Sequence, residues 1–547
     1  MKGVTIALKI DQAEKGEKSV KKIAGILQKF GAVLVCCTLL AACQAAKPET
    51  EKAAPASNAQ AGDQKKTDKL VVVMEANPDS LDPQNTTETT ANSAQRTMLE
   101  GLVGFDKDMK PIPVLAKEMP ELGKDAKSLT IKLKEGVLFQ DGTPFDGEAV
   151  KKNFERVLDK NNNLKRNNFF NMIEKVEVLD PHTVKFDLNT PFSAIVNILA
   201  HPAAAIMSPK SFEGGNKVDR HPVGTGPYQF SEWVDGQYIR MKKFDQYWDK
   251  ENQPAFQTVE FRLVPETASR VAMLMAGEAH LVYPLGPEQA EMLKKNPKVE
   301  INNYPSIIEN YLGFNHKQKP FDNVKVRQAI NYAINKEAMI NVVKMGYASI
   351  ADSPVAPKVS GYSKQPAYDF SVEKAKQLLA EAGYPNGFDA ILWTDNPTEM
   401  IKGAEFIKQQ LGVVGINLKI ETMETGTFYD RLDAGQGIQL YYSHWSPSTG
   451  QADWVLRPNF GSAFVGAKGN NSGHYINPKL DELTEKALGA SDPAEVQRYY
   501  DEAQKVVVED AAWGLLFVDG ILVGKQKELK DANVLPDGVI DVRKAKF

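Results

Sequence analysis

The feature that most constrains the fold is a change of character at Lys69. Residues 47–68 are dominated by Ala, Lys, Glu, Gln, Pro and Ser and hold no large apolar side chain. Such a stretch cannot bury a core and reads as a flexible tether, with an end-to-end distance on the order of 25 Å. From Lys69 onward, β-branched runs alternate with helix-period segments to the C-terminus. That alternation marks an α/β protein, long enough for more than one core.

Within the body, KLVVVMEA at Lys69 predicts a strand, broken by Pro78–Pro83. A helix is predicted over Ala91–Leu102, and half-exposed strands over Ser128–Val137 and Thr183–Leu188. Asp146 is placed to cap a helix over Gly147–Asp159. Thr258–Val264 predicts a strand, and Thr267–Ala276 a helix stopped by Gly277. Tyr311–Asn315 reads as a short strand, Asp322–Ile334 as a helix capped by Asp322, and Ser371–Ala382 as a helix ended by Gly383. Asp492-Pro493-Ala494-Glu495 opens a late helix as a capping box.

Ahead of the tether, Lys21, Lys22 and Lys29 precede an apolar run, Phe30–Leu40, that suits an export signal and is too short to span a bilayer. Leu40-Ala41-Ala42-Cys43 follows and resembles the bacterial lipobox, whose cysteine sulfur takes a diacylglyceryl group. Residues 1–42 are therefore expected to be a signal peptide, with translation starting near Val20, and 43–68 a tether lipidated at Cys43. The three cysteines are Cys36, Cys37 and Cys43, so the region beyond has neither disulfides nor a thiolate metal site.

The totals exclude several classes. A formal net charge of −4 gives no footprint for nucleic acid. No two of the seven histidines sit four apart, and HExxH and GxSxG motifs do not occur. The Pro222–Tyr228 turn has two glycines but lacks the phosphate-loop lysine, and Pro227 removes an N–H. A non-enzymatic binding protein with no cofactor and no bound metal is the expectation.

The candidate ligand segment is Ile438–Phe460, IQLYYSHWSPSTGQADWVLRPNF. An apolar strand breaks at Trp445, a small polar loop follows, and the chain resumes at Asp453-Trp454 and reaches Arg457. Aromatics beside both charge signs suit a ligand with an apolar stem and charged ends. Packing explains the same residues differently: core tryptophans, Asp453 capping a helix over Trp454–Leu456, and Arg457 as a structural ion-pair partner.

Five further segments resemble the extracytoplasmic solute-binding proteins of peptide and nickel ABC importers, family 5. They are Ser80–Pro83 (SLDP), Phe139–Arg156, Pro222–Phe230, Lys319–Met339 and Glu381–Phe388, in the family's order. Leu164–Leu188, Pro191–Pro209 and the Ile438–Phe460 segment resemble the family's glutathione-binding branch and the related haem- or glutathione-binding lipoproteins. The resemblance implies a two-lobed periplasmic-binding-protein-like fold, type II and of the large cluster-C form. Lobe I would comprise 69–98, 222–305 and 520–547 with a subdomain inserted at 99–221, and lobe II 306–519. It also implies a monomer that presents glutathione or a similar small peptide to ABC permease subunits, dipeptides, oligopeptides and haem being the alternatives.

In peptide-binding relatives an Asp three residues after the counterpart of Trp445 pairs with the ligand's α-amine; here that position is Ser448. The ordinary dipeptide anchor is missing, and Asp453 is expected to take the ammonium instead. Glutathione carries two carboxylates and one ammonium, so a cation is needed as well. Arg166 is the expected cationic partner and Arg457 its rival; Trp445 and Trp454 would cover the ligand's stem, and Tyr311 would donate from lobe II.

Overall fold

The computed structural model describes residues 68–213, 218–366, 368–466 and 469–547. The expected signal peptide, the tether and Cys43 precede Asp68 and lie outside these residues. Among the described residues no helix is long and apolar enough to cross a membrane.

An eleven-stranded sheet organises the chain. Its strands are β1 (Lys69–Met74), β2 (Tyr228–Val234), β3 (Tyr238–Lys243), β4 (Thr258–Leu263), β5 (Leu281–Val282), β6 (Val299–Phe314), β7 (Ala348–Ile350), β8 (Phe388–Asp395), β9 (Ile416–Met423), β10 (Leu440–Trp445) and β11 (Trp513–Gln526). The spatial order is β2-β3-β4-β1-β5-β11-β6-β10-β8-β9, with β7 also on β11. β1 runs parallel to β4 and β5 in one half, and β8 parallel to β9 and β10 in the other. Their apolar runs suit parallel strands covered on both faces. Two α/β lobes result, each with its own core: Leu70, Val72, Tyr228 and Phe261 pack in the first, and Phe314, Ile330, Leu392 and Ile407 in the second.

Among the described strands, β6 and β11 are the longest and lie side by side at the middle of the sheet. They have 16 and 14 residues, against about 5–6 for an ordinary strand. Their antiparallel pairing is interrupted between Pro305 and Glu309. Tyr311–Asn315, expected as a short strand, is thus the end of the longest one. Asn302, Asn303 and Pro305 hide the strand from a local reading, and β10 and β11 on either side supply its pairing.

Residues 99–221 carry a separate four-stranded sheet built on Ser128–Lys132, Ile173–Asp180 and Thr183–Leu188. The helix Gly147–Leu158 packs on it, capped by Asp146, which accepts the Ala149 N–H at 2.9 Å. The helix expected over Ala91–Leu102 is Thr89–Met98. It stops early because the Met98 carbonyl accepts from Gly226 N–H at 3.0 Å and from Gln140 Nε2 at 2.9 Å, tertiary bonds that compete with further helix. The helix expected from Asp322 is Val324–Ala333, capped by Asn323.

The segments that carry the resemblance interlock. Asp82 of the SLDP run pairs with Arg156, and Gln140 donates to the Gly226 and Tyr228 carbonyls at 3.1 and 2.8 Å. A Cβ on Gly226 would lie 2.7 Å from the Met98 oxygen, so only glycine admits the approach. Arg327 donates to the carbonyls of Phe321, Asp322, Asp510 and Ala511, tying the start of its helix to the end of Pro493–Glu509. These contacts hold the scaffold together.

Candidate functional site

Ile438–Phe460 folds as strand, turn and helix. β10 pairs with β6 so that Ser443 faces Tyr311 and Trp445 faces Glu309; partners in such a pair share one face of the sheet. The turn closes where the Gly450 N–H donates to the Pro447 carbonyl at 2.7 Å. The helix Asp453–Phe460 starts at once, and Trp445 Nε1 donates to the Trp454 carbonyl at 3.0 Å. Both indoles remain half-buried.

Residues 166–201 form the facing wall. The Phe169 ring meets Trp454 edge-on at 5.5 Å, His201 stands 4.7 Å from Phe169, and the Arg166 guanidinium lies 5.4 Å from the same ring. Asn197 donates to the Thr449 carbonyl at 3.1 Å, and Ser193 N–H to the Leu488 carbonyl at 2.9 Å. Lys358 pairs with Asp108 at 2.7 Å.

Electrostatics separates these residues. Arg166 Nε donates to the Thr86 carbonyl at 2.7 Å. Burial, with no carboxylate within ion-pair distance among the described residues, brings this guanidinium down to about 10. It stays charged at neutral pH and keeps donors to offer an anion. His201 Nδ1 accepts the Ala203 N–H at 3.0 Å, which puts the proton of the neutral ring on Nε2. Burial first, and Arg166 second, hold it well below 6.5. A concavity behind it, lined by Arg96, Glu100 and Arg543, has a volume of about 40 Å³, room for water and not for a peptide.

The expected site residues divide. Arg166, Trp445 and Trp454 converge around Phe169 and Trp454, with Ser448 half-buried in the adjoining turn. Asp453 does not join them: it is 2% exposed, and both its oxygens are held by Arg457 at 2.6 and 2.8 Å. It opens its helix without a capping bond, and the i,i+4 spacing there brings the two charges together. The pair balances the two charges against each other, so each expected site charge already has a partner in the fold. Tyr311 is buried as well, its ring stacked 3.5 Å from Trp513. Phe169, His201 and Glu309 escaped the sequence reading. Of these only Glu309 left a signal, an acid inside the apolar run IIENYLGF.

With this geometry in view, residues 110–466 match the model described as bacterial extracellular solute-binding proteins, family 5 Middle. The chain belongs to that family. One family 5 relative, the glutathione-binding protein GsiB of Escherichia coli O1:K1 / APEC, is 40% identical over 474 residues, 86% of this chain and 92% of its own length. HbpA2 from Haemophilus parasuis superimposes with a TM-score of 0.79 at 26% identity, over 88% of this chain and 99% of that one. The ABC transporter-associated periplasmic binding protein DppA from Helicobacter pylori, in complex with the peptide STSA, gives 0.71 at 28% identity, over 88% and 97%.

Proposed function

We propose that this protein captures glutathione, or a small peptide of the same charge pattern, for an ABC importer by closing its two lobes around it. The observation that carries the reading is Arg166. It is a partly buried cation with unused donors, standing beside Phe169, whose ring meets both His201 and Trp454. A hydrogen bond from a charged group is worth about 1.5–3 kcal/mol, so a ligand carboxylate there favours the closed form by population shift. Trp445 and Trp454 cover the peptide stem, and Ser448 lines the turn. The 40% identity to a glutathione-binding protein favours glutathione over dipeptides, as does Ser448 in place of an acidic residue. Haem is disfavoured because His201 would have to give up its bond to Ala203 N–H, or its tautomer, to ligate iron.

The lobe boundaries proposed are those implied by the resemblance, lobe I at 69–98, 222–305 and 520–547 with its insertion at 99–221, and lobe II at 306–519. The interrupted β6–β11 pairing at 305–309 supports the first crossing point. Export and attachment to a membrane through lipid on Cys43 complete the proposal, with a monomer facing the permease. Calorimetric titration with glutathione, its disulfide, dipeptides and haem tests the ligand. Heat from glutathione is expected. A visible absorbance change with haem and no heat from glutathione would overturn it.

A further inference from the structure

Asp453 is already engaged by Arg457. A second carboxylate stands on the same wall. Glu309 lies directly opposite Trp445 in the β6–β10 pairing and is 2% exposed, yet neither of its oxygens accepts a hydrogen bond. It is also the residue at which β6 regains its pairing with β11 after the interruption that begins at Pro305. In a two-lobed protein joined by two strands, the residues at that crossing form the floor between the lobes.

The charged groups near Glu309 leave it unsatisfied. Asp352, just beyond β7, accepts from the Tyr362 hydroxyl at 3.0 and 3.2 Å and is a like charge. Lys336, first residue of the helix Lys336–Lys344, is the nearby cation, but its Nζ likewise has no hydrogen-bond partner and does not come within ion-pair distance of Glu309. Burial first, and then Asp352, push the Glu309 carboxyl well above its usual range. A carboxyl kept out of water, beside a half-buried tryptophan and short of donors, is a site waiting for a cation that brings its own N–H groups.

We propose that Glu309 receives the α-ammonium of the bound peptide, with Trp445 packed alongside it. This rests on the reading of the cleft as a peptide site and names the residue that would select for a free amine. Arg166 and Glu309 then divide the ligand's charges, an anion on the wall from residues 99–221 and a cation on the floor.

The test compares glutathione with its deaminated analogue, glutaryl-cysteinyl-glycine, by calorimetry on the wild-type protein and on Glu309→Gln. A dipeptide and its N-acetyl form are run in parallel. The wild type is expected to favour the free amine by about tenfold or more, the weight of one charged hydrogen bond. Glu309→Gln is expected to erase that preference. It should also melt no lower than the wild type when ligand-free, since it removes an unsatisfied buried carboxyl; Glu309→Met gives the same readouts should the amide disturb the hinge. Full discrimination retained in Glu309→Gln overturns the assignment while leaving peptide capture intact. A wild type that binds a peptide without preferring the free amine overturns it too. Failure of every peptide to bind overturns the underlying reading along with it.

Discussion

Removing Asp453 separates a structural carboxylate from a ligand-binding one. Its pair with Arg457 has two short bonds, with Asp453 2% and Arg457 28% exposed at the side chain. Orphaning one member of a buried pair costs about 3–5 kcal/mol. Arg457 keeps some water, so the lower end, about 3 kcal/mol, applies to Asp453→Ala. For a body of about 480 residues the unfolding entropy is on the order of 1 kcal/mol per degree, so the midpoint should fall by about 3 °C. Asp453→Leu with Arg457→Met leaves no charge behind and should recover most of that loss. Differential scanning calorimetry measures both, and titration with glutathione should show each folded variant still binding. An unchanged melting temperature for Asp453→Ala together with abolished binding would refute the argument and return Asp453 to the ligand.

Other substitutions probe the scaffold and the anchor. Gly226→Ala should cost about 1–3 kcal/mol, because its Cβ would lie 2.7 Å from the Met98 oxygen; melting checks it, with ligand affinity of the folded protein unchanged. Lys336 is brought by burial from 10.5 down to about 8. Between those values the unfolded chain binds more protons than the folded one, so stability rises with pH across that window, by about 1.4 kcal/mol per pH unit at most. Lys336→Met should flatten this rise and melt higher at pH 7, as thermal melts at pH 7 and 10 would show. Cys43→Ala should prevent incorporation of labelled fatty acid and release the protein from membranes; continued labelling would refute the lipid site.

Much of the fold was legible where the signal is local. Thr267–Ala276 and Thr183–Leu188 match their predicted bounds, and Gly277 closes its helix at φ +79 as a glycine can. What local sequence did not carry was the length of β6, whose first seven residues owe their strand conformation to neighbours far away in the chain. The site divides in the same way. Trp445 and Trp454 were legible as aromatics flanking a broken strand, and Arg166 through the family resemblance. Phe169 and His201 were not, because only tertiary packing brings the Phe169 ring between His201 and Trp454, far apart in the chain. The Asp453–Arg457 pair was within reach of an i,i+4 reading, but the choice between ligand and ion-pair roles depended on burial.

Arg166, left without an acidic partner by the fold among the described residues, is proposed to hold a carboxylate of a glutathione-like ligand. Titration of glutathione into the wild type and into Arg166→Gln tests it most directly. A saturable heat is expected for the wild type and at least about tenfold weaker binding for the variant, with melting of the free protein little changed. Wild-type affinity in Arg166→Gln would contradict it.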